Sequence, residues 1–306
     1  MNLFQNKKKL RSYKEFLYIL PFIVLIAVFA YYPLYGWVYA FFDYRPPQPM
    51  TMDNFVGLKW FKSLVANPVK TKQVLNVLAN TLAMSGLTVG TSWLPMIFAV
   101  FLNEIKCMPF RKVVQTVTTI PNFISWVLVY SVAFNIFNNT GVVNHVLVSM
   151  GILDKPVQFL QASHHVWITQ WLWLTWKNLG WAAIMYIAAI TSIDEELFEA
   201  AKVDGATRMQ RIRYITIPSI LPTYFVLLML AIASFLSNGM EQYYVFQNAF
   251  NKESIQVLDL YVFNLAMGSG SYSVATALSI LKSGVSLILL CLANGMSKLV
   301  RGESFL

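Results

Sequence analysis

Long runs without a charged side chain alternate with short charged stretches along this chain. Phe16–Phe42 contains no Asp, Glu, Lys or Arg, and neither do Gln73–Asn103 and Val113–Leu153. A membrane-crossing helix needs about 20 apolar residues, so the third run is too long for one span. Its polar stretch Asn135–Gly141 marks where that span ends and a loop begins. Val166–Ile190 is interrupted only by Lys177, and Val274–Met296 only by Lys282, while Ile217–Met240 is charge-free. The pattern predicts six transmembrane helices in an all-α polytopic membrane protein.

Charge placement orients the spans. Segments 1–15, 103–112, 191–216 and 297–306 hold 14 of the 23 Lys and Arg residues, and cytoplasmic segments are the ones enriched in these residues. Both termini are therefore expected in the cytoplasm. The chain divides into a basic N-terminus (1–15), a first transmembrane helix (16–42), an extracytoplasmic segment (43–73), a five-helix core (74–297) with a cytoplasmic loop at 191–217, and a C-terminal tail (298–306). Segment 43–73 carries Arg45, Lys59, Lys62, Lys70 and Lys72, more positive charge than an outer loop usually has, and an interfacial helix there is one explanation. The first apolar run is about twice the length of a signal-peptide core and lacks a clear small-residue cleavage site, so it is expected to stay uncleaved.

Composition narrows the class. The 306 residues are 57% hydrophobic and 12% charged, about half the charge of a soluble domain. Mean hydropathy is +0.55. These values exclude a disordered chain, a coiled coil and an ordinary cytosolic enzyme. Cys107 and Cys291, far apart in sequence, exclude a disulfide scaffold and are expected as free thiols. The net charge of +9 follows from the topology, and no basic face points to nucleic acid. His145, His164 and His165 share one outer loop without metal-ligand spacing.

The most charged stretch is 191–222, between two spans. Its residues read as helix, turn, helix. Ser192 and Glu195 have capping-box spacing, and the acidic residues 194–196 suit a helix N-terminus. Ile193, Leu197, Ala200 and Ala201 recur at helical spacing and give a shallow apolar face that another surface can approach. Gly205 is expected to stop the first helix in the left-handed conformation. Met209 and Ile212 continue an apolar face, and Pro218 opens the next span. From the residues alone, the stretch is either an interfacial amphipathic connection or a docking element for a cytoplasmic partner.

Spacing favours docking. Glu199-Ala200-Ala201, three residues, Gly205, nine residues and Ile215-Thr216-Ile217-Pro218 resemble the signature loop of ABC importer permeases, with Ile217 where the family has Leu. Tyr32-Pro33-Leu34-Tyr35-Gly36, Leu102-Asn103-Glu104-Ile105, Pro121-Asn122-Phe123-Ile124-Ser125-Trp126 and Trp176-Lys177-Asn178-Leu179-Gly180-Trp181 extend the likeness to sugar permeases of the oligo- and polysaccharide subgroup. Asn122 stands where that family often has His.

The resemblance implies the type I importer permease fold and a non-catalytic subunit. It implies a second permease, two ATPase subunits that bind ATP and Mg, an extracytoplasmic solute-binding protein, an oligosaccharide substrate and a bilayer. No cofactor is expected in this chain, which has no Gly-x4-Gly-Lys phosphate loop; Gly268-Ser269-Gly270-Ser271 lacks the lysine. Glu199, Ala200, Ala201, Asp204, Gly205 and Pro218 would couple the spans to the ATPase, with Glu199 paired to a basic residue there.

Sugars present hydroxyls and apolar C–H faces, so a sugar path wants flat aromatics beside polar groups. Trp173, Trp176, Lys177, Asn178 and Trp181 supply both within one span. Lys177 either faces such a cavity, as costly intramembrane charges do, or snorkels to an aromatic belt. Lys282 is expected to meet an Asn or a backbone carbonyl. Asn122, Ser125 and Trp126 either line the path or satisfy backbone freed by Pro121. Glu241, Gln242, Tyr243 and Asp259 lie at the expected outer mouth, where they would meet the binding protein or the sugar. An intramembrane enzyme is disfavoured because no span holds Asp or Glu. An ion-coupled secondary sugar transporter is the alternative, though such proteins usually carry repeated halves and intramembrane acids.

Overall fold

A computed structural model describes residues 15–161 and 165–301. The basic run Lys7–Lys14, His164 and the last residues, 302–306, lie outside the described residues. Among the described residues the chain is helical, and its β pairing is an isolated antiparallel bridge between Phe42 and Phe55. Five helices have the length and apolarity to cross a bilayer: Glu15–Phe41, Pro68–Asn103, Trp126–Ser149, Arg208–Ala233 and Tyr272–Gly295.

The chain forms two compact units. The first comprises residues 1–67 and 264–281. Its long helix α1, Glu15–Phe41, loosens into a π-turn at Ala27–Tyr31 and a 3-10 segment from Tyr32, where Pro33 supplies no N–H. Helix α2, Lys59–Ala66, lies within the basic 43–73 segment, and Trp60 Nε1 donates to Phe42 O at 2.9 Å. Tyr44 is held three ways within this unit: its N–H donates to Ser273 Oγ at 3.1 Å, its ring stacks on Tyr39, and it meets Tyr272 edge-on.

The second unit comprises residues 68–263 and 282–306. Helix α3 (Pro68–Gly90) starts ahead of the charge-free run, because Lys70 and Lys72 sit in its first turns. The expected second span then bends at 91–93 before α4 (Leu94–Asn103). Pro95 lies in the first turn of α4, and Thr91 Oγ1 bonds back to Leu87 O at 2.6 Å.

The expected third span is not one helix. Helix α5 (Met108–Thr119) ends in a 3-10 turn at Ile120–Phe123, and α6 (Trp126–Phe137) starts afresh. Pro121 has no N–H and disfavours helical backbone at the residue before it. Ser125 then caps α6, accepting from the Leu128 N–H at 3.4 Å. Helix α7 (Val142–Ser149) follows, and buried Asn144 ties the next loop by donating to Asn138 O and Val157 O.

Helix α8 (Val166–Thr191) is the spine of this unit. At 26 residues it is about 39 Å long, enough to cross a bilayer. Its Gln170, Lys177, Asn178 and tryptophans leave it less apolar than the five helices above. Val166, near its start, packs with Met84, Val129, Tyr243, Phe246 and Leu260. Ala183, Tyr186 and Ile190, near its end, pack with Ala99, Val100, Ile212 and Ile220. Helices α9 (Glu195–Val203) and α10 (Arg208–Arg211) form the following loop. A π-turn, Ile212–Thr216, then leads into α11 (Ile217–Ala233). Three short helices, α12 (Glu241–Phe246), α13 (Lys252–Ile255) and α14 (Leu258–Phe263), precede the last helix α15 (Tyr272–Arg301).

Backbone polar groups inside a bilayer must be met by protein. Asn80 Nδ2 accordingly donates to Glu253 O and Gln256 O, and Leu258 N–H donates to Thr81 Oγ1. Segments assigned to one side of the membrane also meet each other. Arg208 reaches Glu104, whereas Trp167 reaches Ser254 O and Asn248 reaches Leu160 O.

Candidate functional site

The 191–217 loop presents a helix with no buried residue. Its cap differs from the expected one: Asp194, not Ser192, caps α9 by accepting the Glu196 N–H at 3.0 Å. Ser192 Oγ turns back to donate to Ala189 O, because residue 192 still belongs to the last turn leaving α8. Glu195 and Glu196 in the first turn and Lys202 in the last complement the helix dipole.

Gly205 ends the helix at φ +73°, as its position after Asp204 requires. A full capping box follows, between Thr207 and Gln210. Ala201, Asp204 and Gly205 then line a shallow hollow of about 340 Å³ with Gln210, Arg211 and Tyr214. Leu197 and Val203 are exposed, and so is Glu199, an uncovered apolar and acidic surface. Pro218 sits in the first turn of α11, but the helix runs on from α10 through the π-turn, so its missing N–H leaves a gap in that backbone ladder.

Lys177 is turned into the protein. It is buried, and Nζ donates to Pro121 O at 3.1 Å and to Asn122 O at 2.7 Å, over the Trp126 ring. At the break after α5, Pro121 O already accepts the Ile124 N–H at 3.2 Å, and the ammonium adds a second bond there and one to Asn122 O. Asn122 Nδ2 donates in turn to Asn178 Oδ1 at 3.0 Å.

Trp173 packs on the core with Trp126, against Phe246 and Trp176. Gln242 is buried and donates to Gln170 O and Oε1, and Tyr243 is buried in the same core. Glu241 is exposed at the start of α12.

A cavity of about 380 Å³ opens on the other face of α8. Of the expected path residues it takes only Asn178 and Trp181. The bend between α3 and α4 adds Thr88, Thr91 and Ser92, which charge-based span reading passes over as ordinary span residues. Trp171 and Tyr186 on α8 also line it. Trp171 Nε1 donates to Thr91 Oγ1 at 2.9 Å, and Ser92 Oγ lies 3.2 Å from the Tyr224 hydroxyl. No charged side chain lines this cavity.

Lys282 pairs with Asp259 rather than with an Asn or a backbone carbonyl. Asp259 Oδ2 also accepts the N–H of Gly239, which sits at φ +74°. The sequence hid this partner because Asp259 lies on a separate short helix. Cys107 and Cys291 are free thiols. Among the described residues no group of three or more His, Cys, Asp and Glu side chains is placed to hold a metal.

Helices of membrane-crossing length, an exposed two-helix loop and an uncharged cavity beside α8 are compatible with a membrane permease. The chain belongs to the family of binding-protein-dependent transport system inner membrane components, which matches residues 92–301. It is 36% identical over 285 residues to the polygalacturonan/rhamnogalacturonan transport system permease protein YteP of Bacillus subtilis, covering 92% of this chain and 87% of that one. It is 34% identical to the protein LplB of Bacillus subtilis, over 92% of this chain and 88% of that one. The fold matches a chain of a bacterial alginate ABC transporter, crystallised with an alginate pentasaccharide-bound periplasmic protein. The TM-score is 0.85 at 32% identity, and the match covers 97% of this chain and 98% of that one.

The type I ABC permease fold follows, and with it a non-catalytic, inner-membrane subunit of a sugar ABC transporter. ATP is hydrolysed by a separate chain, and the ion-coupled alternative falls away.

Proposed function

We propose that this chain is one of two different permease subunits of an ATP-driven importer of uronate-containing oligosaccharides in a bacterial cytoplasmic membrane. A solute-binding protein would deliver the sugar on the outer side, and two ATPase subunits would bind ATP and Mg on the inner side. The observation that carries the reading is the exposed helix Glu195–Val203, stopped by Gly205, in a chain whose fold matches a solved ABC transporter subunit. A solvent-facing helix with uncovered Leu197 and Val203 suits a partner surface. Glu199 on that helix would meet a basic group of the ATPase. Closure of the two ATPase subunits would then rock the spans between two rigid arrangements.

The sugar class rests on two relatives named for acidic polysaccharides, pectic and alginate. In this reading the cavity beside α8 is part of the path: Trp171 and Trp181 meet C–H faces, and Thr88, Ser92 and Asn178 meet hydroxyls.

Glu199→Arg tests the reading in membranes carrying the whole transporter. The expected result is an inserted subunit with lost uptake of labelled oligogalacturonate, through lost assembly or through ATP hydrolysis without uptake. Wild-type uptake by this variant overturns the role of Glu199.

A further inference from the structure

The loop between α8 and α11 continues directly from α8, and α10 runs through the π-turn into α11. Its ends, Ile193 and Ile212, pack on the apolar cluster that includes Ala99 and Val100 of α4. Arg208 adds a polar attachment to the same helix. Its Nη2 donates to the main-chain carbonyl of Glu104 at 2.7 Å, while Nε pairs with the Glu104 carboxylate. Glu104 is the C-cap residue of α4, where unsatisfied carbonyls and the helix dipole both attract a cation.

One guanidinium fork therefore grips the side chain and the backbone of the same residue, a geometry a lysine cannot reproduce. Arg208 is itself fixed as the first residue of α10 by the Thr207–Gln210 capping box. Both α4 and α11 wall the cavity: α4 through Leu94 and Pro95, α11 through Leu227, Leu228 and Ala231.

We propose that the Arg208–Glu104 clasp makes α4 move with the loop, so that one displacement shifts two walls of the cavity together. Arg208 and Glu104 are positioning residues in this scheme. The proposal rests on the reading of the loop as the ATPase-coupling element. An exposed ion pair adds little stability by itself, so the clasp matters for where α4 is held rather than for whether the subunit folds.

Distances between spin labels test it without any sugar. The labels sit on native Cys107, three residues after Glu104, and on Met209→Cys, exposed on α10, with Cys291→Ser removing the other thiol. The assembled transporter is measured without nucleotide and after trapping with ATP and vanadate. The clasp predicts one narrow distance that shifts by less than about 2 Å between the two states, the scale of packed-helix adjustments. Arg208→Lys, which keeps the charge but not the fork, should broaden the distribution and let it shift with nucleotide. Glu104→Gln should broaden it less, because the carbonyl bond survives.

A wild-type distance that changes by several ångströms on trapping overturns the clasp, as does an Arg208→Lys distribution as narrow as the wild type. Glu199→Arg run in parallel separates the two readings. If it assembles, traps and transports like the wild type, the coupling role of the loop fails, whatever the clasp distances show.

Discussion

Gly180 on α8 faces the backbone of Thr118 on α5 so closely that a Cβ at this position would stand 2.3 Å from the Thr118 carbonyl oxygen. Helices in a bilayer associate through packing rather than through water exclusion, and small residues permit such approaches. The obstacle is backbone, which cannot swing aside as a side-chain tip does. Gly180→Ala should therefore separate α5 from α8 and lower stability by about 2 kcal/mol, as overpacking does. The check is the thermal midpoint of the detergent-purified transporter. An unchanged midpoint would mean that α5 yields freely.

Lys177→Met keeps the length of the side chain and deletes the ammonium that caps Pro121 and Asn122. Asn122 O then loses this donor while Pro121 O keeps the Ile124 N–H, at a cost of about 1 kcal/mol. The expected outcome is a lower thermal midpoint with an unchanged apparent affinity for sugar in the protein that remains folded. A large loss of affinity at unchanged stability would return Lys177 to the path.

Asp259 holds both Lys282 and the Gly239 N–H. Asp259→Asn leaves the ammonium half-buried without its counter-charge and should cost about 2 kcal/mol. Lys282→Met alone leaves the carboxylate its backbone donor and should cost less. The double variant should lose less stability than the sum of the two single losses, because each single change already breaks the same pair. Chemical denaturation of the three variants reads this directly, and strict additivity would show that the pair is idle.

Asn178→Ala and Trp181→Ala change the cavity wall and leave the Lys177 bonds in place, although Asn178 also meets Asn122 and Trp181 meets Phe123. Removing one sugar-facing hydrogen bond or ring should raise the KM for uptake about fivefold to tenfold, the equivalent of about 1 kcal/mol. Trp176→Ala, outside the cavity lining, is the control and should leave KM unchanged. Equal effects at all three positions would place the path elsewhere.

Much of this architecture is readable from the spacing of charges. Runs without Asp, Glu, Lys or Arg locate α1, α11 and α15 because lipid tolerates little else. The stop at Gly205 is readable because a positive φ after a helix calls for glycine. The breaks near Thr91 and Pro121 are harder. A charge-free run looks the same whether its helix is continuous or interrupted, and prolines are common in membrane helices. Ser192 misled for a local reason: Asp194 is a competing cap two residues on, and the chain is still leaving α8 at Ser192.

The cluster around Lys177 illustrates the deeper limit. Trp173, Trp176, Lys177, Asn178 and Trp181 are close in sequence, yet a helix turns Trp173 and Lys177 toward the core and Asn178 and Trp181 toward the cavity. Composition identifies such a group as notable. Which face carries which residue depends on what α5, α6 and α12 bring to the other side, and single-helix periodicity does not contain that information.

The division of α8 into two faces also sets how this permease can diverge. Val166, Gln170, Trp173, Lys177 and Gly180 lie on one stripe, each engaged with core, cap or close backbone. Trp171, Leu174, Thr175, Asn178, Ala182 and Met185 lie on the other and border open space. In the proposed path, new cargo preferences would accumulate on the second stripe while the first keeps the scaffold intact, so one helix would offer a separable dial for selectivity to anyone retuning the importer.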